Sequence, residues 1–109
     1  MLAKQYRLPS SVKLTNSRFF STELFTVRVA PNHLPESRFG FVIGKKIDKR
    51  AVSRNRIRRV FRSCIEQRRE QIAIGYDMLF FLKKDILEMK QEEVSNYVER
   101  FLQEKQLLQ

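Results

Sequence analysis

The densest chemistry in this sequence is cationic. Between Lys45 and Arg69 stand eleven Lys or Arg residues and only two acids, Asp48 and Glu66. The run opens with Lys45-Lys46, continues through Lys49-Arg50, reads Arg54-Asn55-Arg56-Ile57-Arg58-Arg59, and adds Arg62 one turn later. A planar guanidinium can hold two phosphate oxygens at once. Arginines on successive turns of a helix stand ~5.4 Å apart along its axis, so they can meet successive phosphates. So many like charges repel each other and lower stability, and the stretch makes physical sense when a polyanion neutralises it. A merely solvated helix face would mix signs, yet Glu66 is the only acid between Arg54 and Arg69. Asn55 differs from its neighbours because it is uncharged. Its amide can orient a nucleic-acid group or a metal-bound water, or it can bond the local backbone at a helix start.

Other reactive residues are few. Phe19, Phe20 and Phe25 could stack on unpaired bases, at ~1–3 kcal/mol per base, or pack in the core. Phe25 lies in line with Val27 and Val29 and reads first as core, while Phe19 and Phe20 are adjacent and point apart in an extended chain. Phe39, Phe41, Phe61, Phe80 and Phe101 read as core. Cys64, the single cysteine, can make no internal disulfide or cysteine-based metal cluster, and no His or Asp accompanies it as a nucleophile would need. A lone His33 in a Pro-flanked turn makes no metal site. Asp77 and Asp85 stand alone at strand ends. Paired carboxylates, a Gly-rich phosphate loop and a Ser/His/Asp set are not visible. The sequence therefore points to binding, with no catalytic residue and no cofactor or metal held by the protein itself.

The charge distribution supports a binding face. The net charge is +10, but residues 1–70 carry 17 bases and 5 acids, whereas residues 71–109 carry 5 bases and 7 acids. Nucleic acid is the first candidate partner and an anionic membrane surface the second. The membrane reading is the weaker, because the basic helix needs its apolar arc for the core. No apolar run approaches the ~20 residues of a membrane helix, and the first five residues carry no secretory signal, so the expected location is cytoplasmic.

The elements that position these residues can be read from periodicity. Residues 1–18 form an irregular, basic, turn-rich arm, and the whole chain, residues 1–109, reads as a single compact nucleic-acid-binding domain. Residues 24–29 alternate as a strand, with Phe25, Val27 and Val29 on one face. Residues 38–44 read as a second strand, the pair resembling a hairpin with a long loop. Phe39, Phe41 and Ile43 share a face, and Gly40 and Gly44 leave the other open to close approach. Residues 53–69 read as a helix capped by Ser53, with Ile57, Val60, Phe61, Cys64 and Ile65 in one arc and Asn55, Arg58, Arg59, Arg62 and Arg69 opposite. Arg68 falls near the apolar arc, so it must snorkel or the helix must end first. Residues 77–83, apolar on both faces, suit a central strand. Residues 88–108 repeat Val94, Tyr97, Val98, Phe101, Leu102 and Lys105 at helical spacing. The order β-β-α-β-α gives an α+β fold: a single-layer mixed sheet packed with helices, with a βαβ unit that contains the basic helix.

Paired lysines, Ala51-Val52, and Arg54-Asn55-Arg56 followed by Ile57 and two bases resemble the signature of the bacterial ribonuclease P protein family. Arg38-Phe39-Gly40 resembles the family's strand before the lysines, and Tyr6-Arg7-Leu8 its short N-terminal motif. The resemblance implies a left-handed crossover around the basic helix, although such units are generally right-handed. It implies RNA contacts from Lys45, Lys46, Lys49, Arg50, Arg54, Asn55, Arg56, Arg58, Arg59 and Arg62. It further implies a cleft between the helix and the sheet for the 5′ leader of precursor tRNA, a 1:1 complex with the catalytic RNA, and Mg2+ brought by that RNA. Phe19, Phe20 and Phe25 are the aromatic candidates for the cleft. The chain departs from the pattern in two places: Ile47-Asp48-Lys49-Arg50 stands where a glycine is usual, and residues 9–18 are turn-rich where the family has a helix. The competing reading is a ribosomal or other structural RNA-binding module.

Overall fold

In a computed structural model, which describes residues 4–9, 12, 14–44, 46, 49–83, 89–105 and 107, four strands and two helices follow each other along the chain. They are β1 (Arg18–Ser21), β2 (Phe25–Pro31), β3 (Arg38–Val42), α1 (Ala51–Gln67), β4 (Tyr76–Leu82) and α2 (Gln91–Glu104), with short 3-10 turns at Lys4–Tyr6 and Arg69–Gln71. The sheet order is β1-β2-β4-β3. β1 and β2 run antiparallel, as do β2 and β4, while β3 lies parallel to β4. The sheet is therefore mixed, and α1 is the crossover that a parallel pair requires.

The register builds the core. Phe20, Val27, Phe80 and Phe41 form one row across the four strands, and Val29, Met78 and Phe39 form the next. Both helices dock on this face. Phe25 is wholly buried at its centre, with ring centroids 5.4 Å from Phe61 of α1, 5.4 Å from Phe80 and 5.0 Å from Phe101 of α2, all edge to face. Such pairs contribute ~0.5–1.5 kcal/mol each beyond the area they bury.

β2 and β3 do not form the expected hairpin, because β4 lies between them. The strand with apolar residues on both faces takes the interior position, and residues 32–37 arch over its start. Asn32 donates its backbone N–H to the Gly75 carbonyl (2.8 Å) and its Nδ2 to Asp77 Oδ1 (2.9 Å). Ser37 Oγ donates to the Ala73 carbonyl (2.6 Å) and accepts from the Tyr76 N–H (3.1 Å). Arg38 grips the buried Asp77 carboxylate through Nε (2.8 Å) and Nη2 (2.7 Å). Asp77 thus does not stand alone. Its charge is paired and hydrogen-bonded, as burial demands. Asp85 lies outside the described residues.

Helix α1 starts before Ser53. Arg50 occupies the cap position without a side-chain cap, and the helix ends at Gln67. Arg68 then turns inward, donating to Ser95 Oγ (2.6 Å) and the Cys64 carbonyl (3.3 Å) and reaching Glu99 (3.4 Å). Among the described residues of 9–18 there is no helix. The arm docks on β3 instead: Leu8 donates its N–H to the Phe39 carbonyl (2.9 Å), and Arg7 pairs with Phe39. A Cβ on Gly40 would stand 2.9 Å from Leu79 Cδ1 and 3.4 Å from Leu8 Cβ, so the close approach that glycine permits is made by the chain's own arm and β4.

Candidate nucleic-acid interface

Four hydrophobic anchors orient α1. Ile57, Phe61, Cys64 and Ile65 are buried against the sheet and α2. This geometry pushes the remaining side chains outward. Arg56 and Arg59 are exposed, and Arg54, Arg58 and Arg62 are half-buried along their stems. Arg58 Nη1 donates to Asn55 Oδ1 at 3.0 Å, one turn back on the same face. Arg54 Nη1 donates to the Lys49 carbonyl at 2.9 Å and so ties the incoming loop to the first turn. Lys46, Lys49 and Arg50 are exposed before the helix, whereas Lys45, Ile47 and Asp48 lie outside the described residues. No acid stands in the first turn of α1. The positive end of the helix dipole therefore adds to the cationic field.

The structure thus brings Arg54, Asn55, Arg58 and Arg62 onto one outward side of α1, with Arg56 and Arg59 beside them. It separates the other two basic residues of the run. Arg68 is turned into the α1–α2 contact. Arg69 leaves the helix, and its guanidinium carbon lies 4.1 Å from the centre of the Tyr6 ring. The electrostatic consequence is an outward surface rich in guanidinium groups, suited to phosphate oxygens.

The aromatic candidates divide. Phe25 is core and offers no surface for a base, which corrects its place among the cleft candidates. Phe20 is partly covered, edge-on to Phe101 at 6.0 Å and flanked by the cations of Arg18 (5.7 Å) and Lys105 (5.5 Å). Phe19 is 62% exposed and lies on the opposite face of the sheet. Among the described residues, Phe61 fills the space between α1 and the sheet face it covers, 5.5 Å from Phe41 and 5.1 Å from Phe80.

The sheet's other face is the more open one. Across it lie Phe19, Arg28 and Leu79, a row that ends at Gly40 under Leu8 of the arm, with Thr26, Phe81 and Val42 on the next row. Arg28 is steadied by Ser17 (Nη2 to Oγ, 3.1 Å), and Lys83 by Ser21 Oγ (2.9 Å) and the Thr22 carbonyl (2.6 Å). Of these, only Phe19 was singled out from sequence. The signal for the rest was present: alternation put Thr26 and Arg28 off the core face, and β4 carried more apolar side chains than one face needs.

Cys64 is buried, and burial pushes its thiol above the ordinary range. That disfavours the thiolate a nucleophile requires. Among the described residues no group of three His, Cys, Asp or Glu could hold a metal ion, and no helix is long and apolar enough to cross a membrane.

Comparison with known proteins follows the same line. The family model described as Ribonuclease P matches residues 4–106. A ribonuclease P protein component of Pelotomaculum thermopropionicum is 34% identical over 71 residues, 65% of this chain and 62% of that protein, so the match spans under two thirds of the relative's length. One of Chloroflexus aggregans is 30% identical over 109 residues, covering 97% of this chain and 80% of the relative. The solved RNase P protein of Staphylococcus aureus superposes with a TM-score of 0.78 at 20% identity, over 95% of this chain and 98% of that one, and shares the α+β fold. Matched from residue 4 to residue 106, this chain belongs to the ribonuclease P protein family.

Proposed function

We propose that this chain is the protein subunit of a cytoplasmic ribonuclease P, binding one catalytic RNA in a 1:1 complex and the 5′ leader of precursor tRNA during endonucleolytic 5′ maturation. The observation that carries the reading is the outward side of α1, where Arg58 and Arg62 share a face with Asn55 and Arg56 and Arg59 flank it, without an acid in the first turn. Those guanidiniums hold RNA phosphates, and Asn55 fixes the direction of Arg58. The open sheet face suits a short unpaired leader: Phe19 offers a ring to a base, while Arg28 and Lys83 face its phosphates. The filled contact between α1 and the sheet leaves this face as the better leader surface. Hydrolysis and the Mg2+ that assists it belong to the RNA partner in this scheme. The chain's own task is to hold the two RNAs together and to offset their repulsion.

The direct test is cleavage of a precursor tRNA by bacterial ribonuclease P RNA at low Mg2+, with and without this protein. The protein should restore site-specific cleavage at magnesium levels where the RNA alone is slow, and should cleave nothing alone. Robust cleavage by RNA-free protein, or no stimulation of the RNA, would sink the reading.

A further inference from the structure

Helix α1 carries arginines on two flanks. Arg54 and Arg58 lie on one. Arg56 and Arg59 lie toward the start of α2, where Val60 falls at the edge of the apolar arc and is only partly buried. Between this flank and α2 run two adjoining hollows of about 120 and 250 Å3, sharing Arg56, Val60 and Gln91. Met89 and Lys90 line the first and Arg59 the second. A third hollow, of about 220 Å3, continues along α1 past Arg62 to Glu66. The groove thus has cationic walls and an apolar floor of Val60 and Met89. Gln91 Nε2 reaches Ser63 Oγ at 3.4 Å and closes one side.

We propose that this groove takes an unpaired nucleotide of the RNA partner, its base on Val60 and Met89 and its flanking phosphates on Arg56, Arg59 and Lys90. The inference rests on the ribonuclease P reading and adds α2 to the RNA-binding surface. Charge complementarity selects the occupant. Three exposed cations border the floor; of the nearby acids, Glu66 lines only the far end, and Glu93 at the start of α2 is turned back to accept from the Lys90 N–H at 3.1 Å. A base presents a flat apolar face with polar edges, which matches the floor and the Gln91 amide. A duplex would offer the floor no base, because its bases stay stacked. A lone phosphate would leave Val60 and Met89 uncovered.

The test uses the full chain reconstituted with ribonuclease P RNA, measuring affinity against salt concentration for three exposed or outward positions. Lys90→Ala should weaken binding and reduce the salt slope by about one, the signature of a lost phosphate contact. Arg100→Ala, an equal charge loss on exposed α2 surface beyond the groove, should leave the slope unchanged. A photoreactive benzophenone side chain at position 91 should crosslink to a single unpaired RNA nucleotide. If Lys90→Ala behaves like Arg100→Ala and position 91 captures no RNA, while Arg58→Ala, on the opposite flank, still weakens binding, the groove is not an RNA site and the subunit reading stands. If Arg58→Ala is also silent, the subunit reading fails and takes the groove with it. Capture of an acidic protein segment at position 91, without RNA, would equally overturn the proposal.

Discussion

Arg58 reaches back one turn and donates a hydrogen bond from Nη1 to Asn55 Oδ1 at 3.0 Å, so the one uncharged residue between Arg54 and Arg56 aims a guanidinium. Two readings of Asn55 were open from sequence, an orienting amide or a backbone bond at the helix start. The observed bond is to a side chain rather than to the backbone, and it leaves both amide hydrogens of Asn55 for an outside partner. An exposed pair at this spacing contributes only ~0.2–0.5 kcal/mol to the helix. Asn55→Ala should therefore shift the melting temperature little. It should weaken RNA binding severalfold with an almost unchanged salt slope, because no charge is lost. A lowered melting temperature with full RNA affinity would return Asn55 to a structural role.

The two phenylalanines Phe19 and Phe25 should separate cleanly. Phe25 touches Phe61, Phe80 and Phe101 and is fully buried, so Phe25→Ala should cost ~3–5 kcal/mol, enough to unfold much of a marginal domain. Phe19 is 62% exposed on the open face. Phe19→Ala should leave denaturant midpoints nearly unchanged and weaken binding of leader-bearing precursor tRNA relative to leaderless tRNA. Equal effects on the two substrates would remove Phe19 from the leader surface.

What could be read from sequence followed the strength of local pattern. The apolar arc of α1 and the two-faced β4 were legible because burial rewards those periodicities directly. The order of the strands was not. Chain succession suggested that β2 and β3 pair, but the two-sided apolarity of β4 is satisfied only between them. β1 was missed because its four residues carry three exposed side chains, and pairing with β2 rather than hydrophobic pattern holds it. Ser53 looked like a cap, yet α1 begins at Ala51 with no side-chain cap at all. The cationic side was legible as composition. Which arginine serves which surface was decided by the end of the helix at Gln67, which turns Arg68 inward and frees Arg69 to stack on Tyr6.

Burial raises the Cys64 thiol above its ordinary value, despite opposing help to the thiolate from Ser95 and Arg68. The sign of the linkage follows. The unfolded thiol releases its proton first as pH rises, so the contribution is complete below the unfolded value and is lost as pH climbs through the folded one. Stability should decline in alkaline buffer, and Cys64→Ala should flatten that decline. Alkylation by iodoacetamide in mildly alkaline buffer should be slow in the folded protein and fast in denaturant. Rapid alkylation of the native chain would show an accessible thiolate.

Arg62 and Arg68 lie six residues apart in the same basic run and should nonetheless report on different things. Arg62 points outward from α1. Arg68 donates to Ser95 Oγ at 2.6 Å and reaches Glu99 at 3.4 Å, which fastens the end of α1 to α2. If Arg62 meets a phosphate, Arg62→Ala should lower the salt slope of RNA binding by roughly one, with a stability change within ~0.5 kcal/mol. Arg68→Ala removes hydrogen bonds from a charged donor in a half-buried contact and should cost ~2 kcal/mol. At temperatures where the variant stays folded, its salt slope should match the parent. Measuring thermal unfolding and salt-dependent affinity on both variants gives a crossed pattern if the outward and inward assignments hold. Parallel losses in both assays for both variants would mean that net charge, and not the direction of each arginine, governs RNA binding.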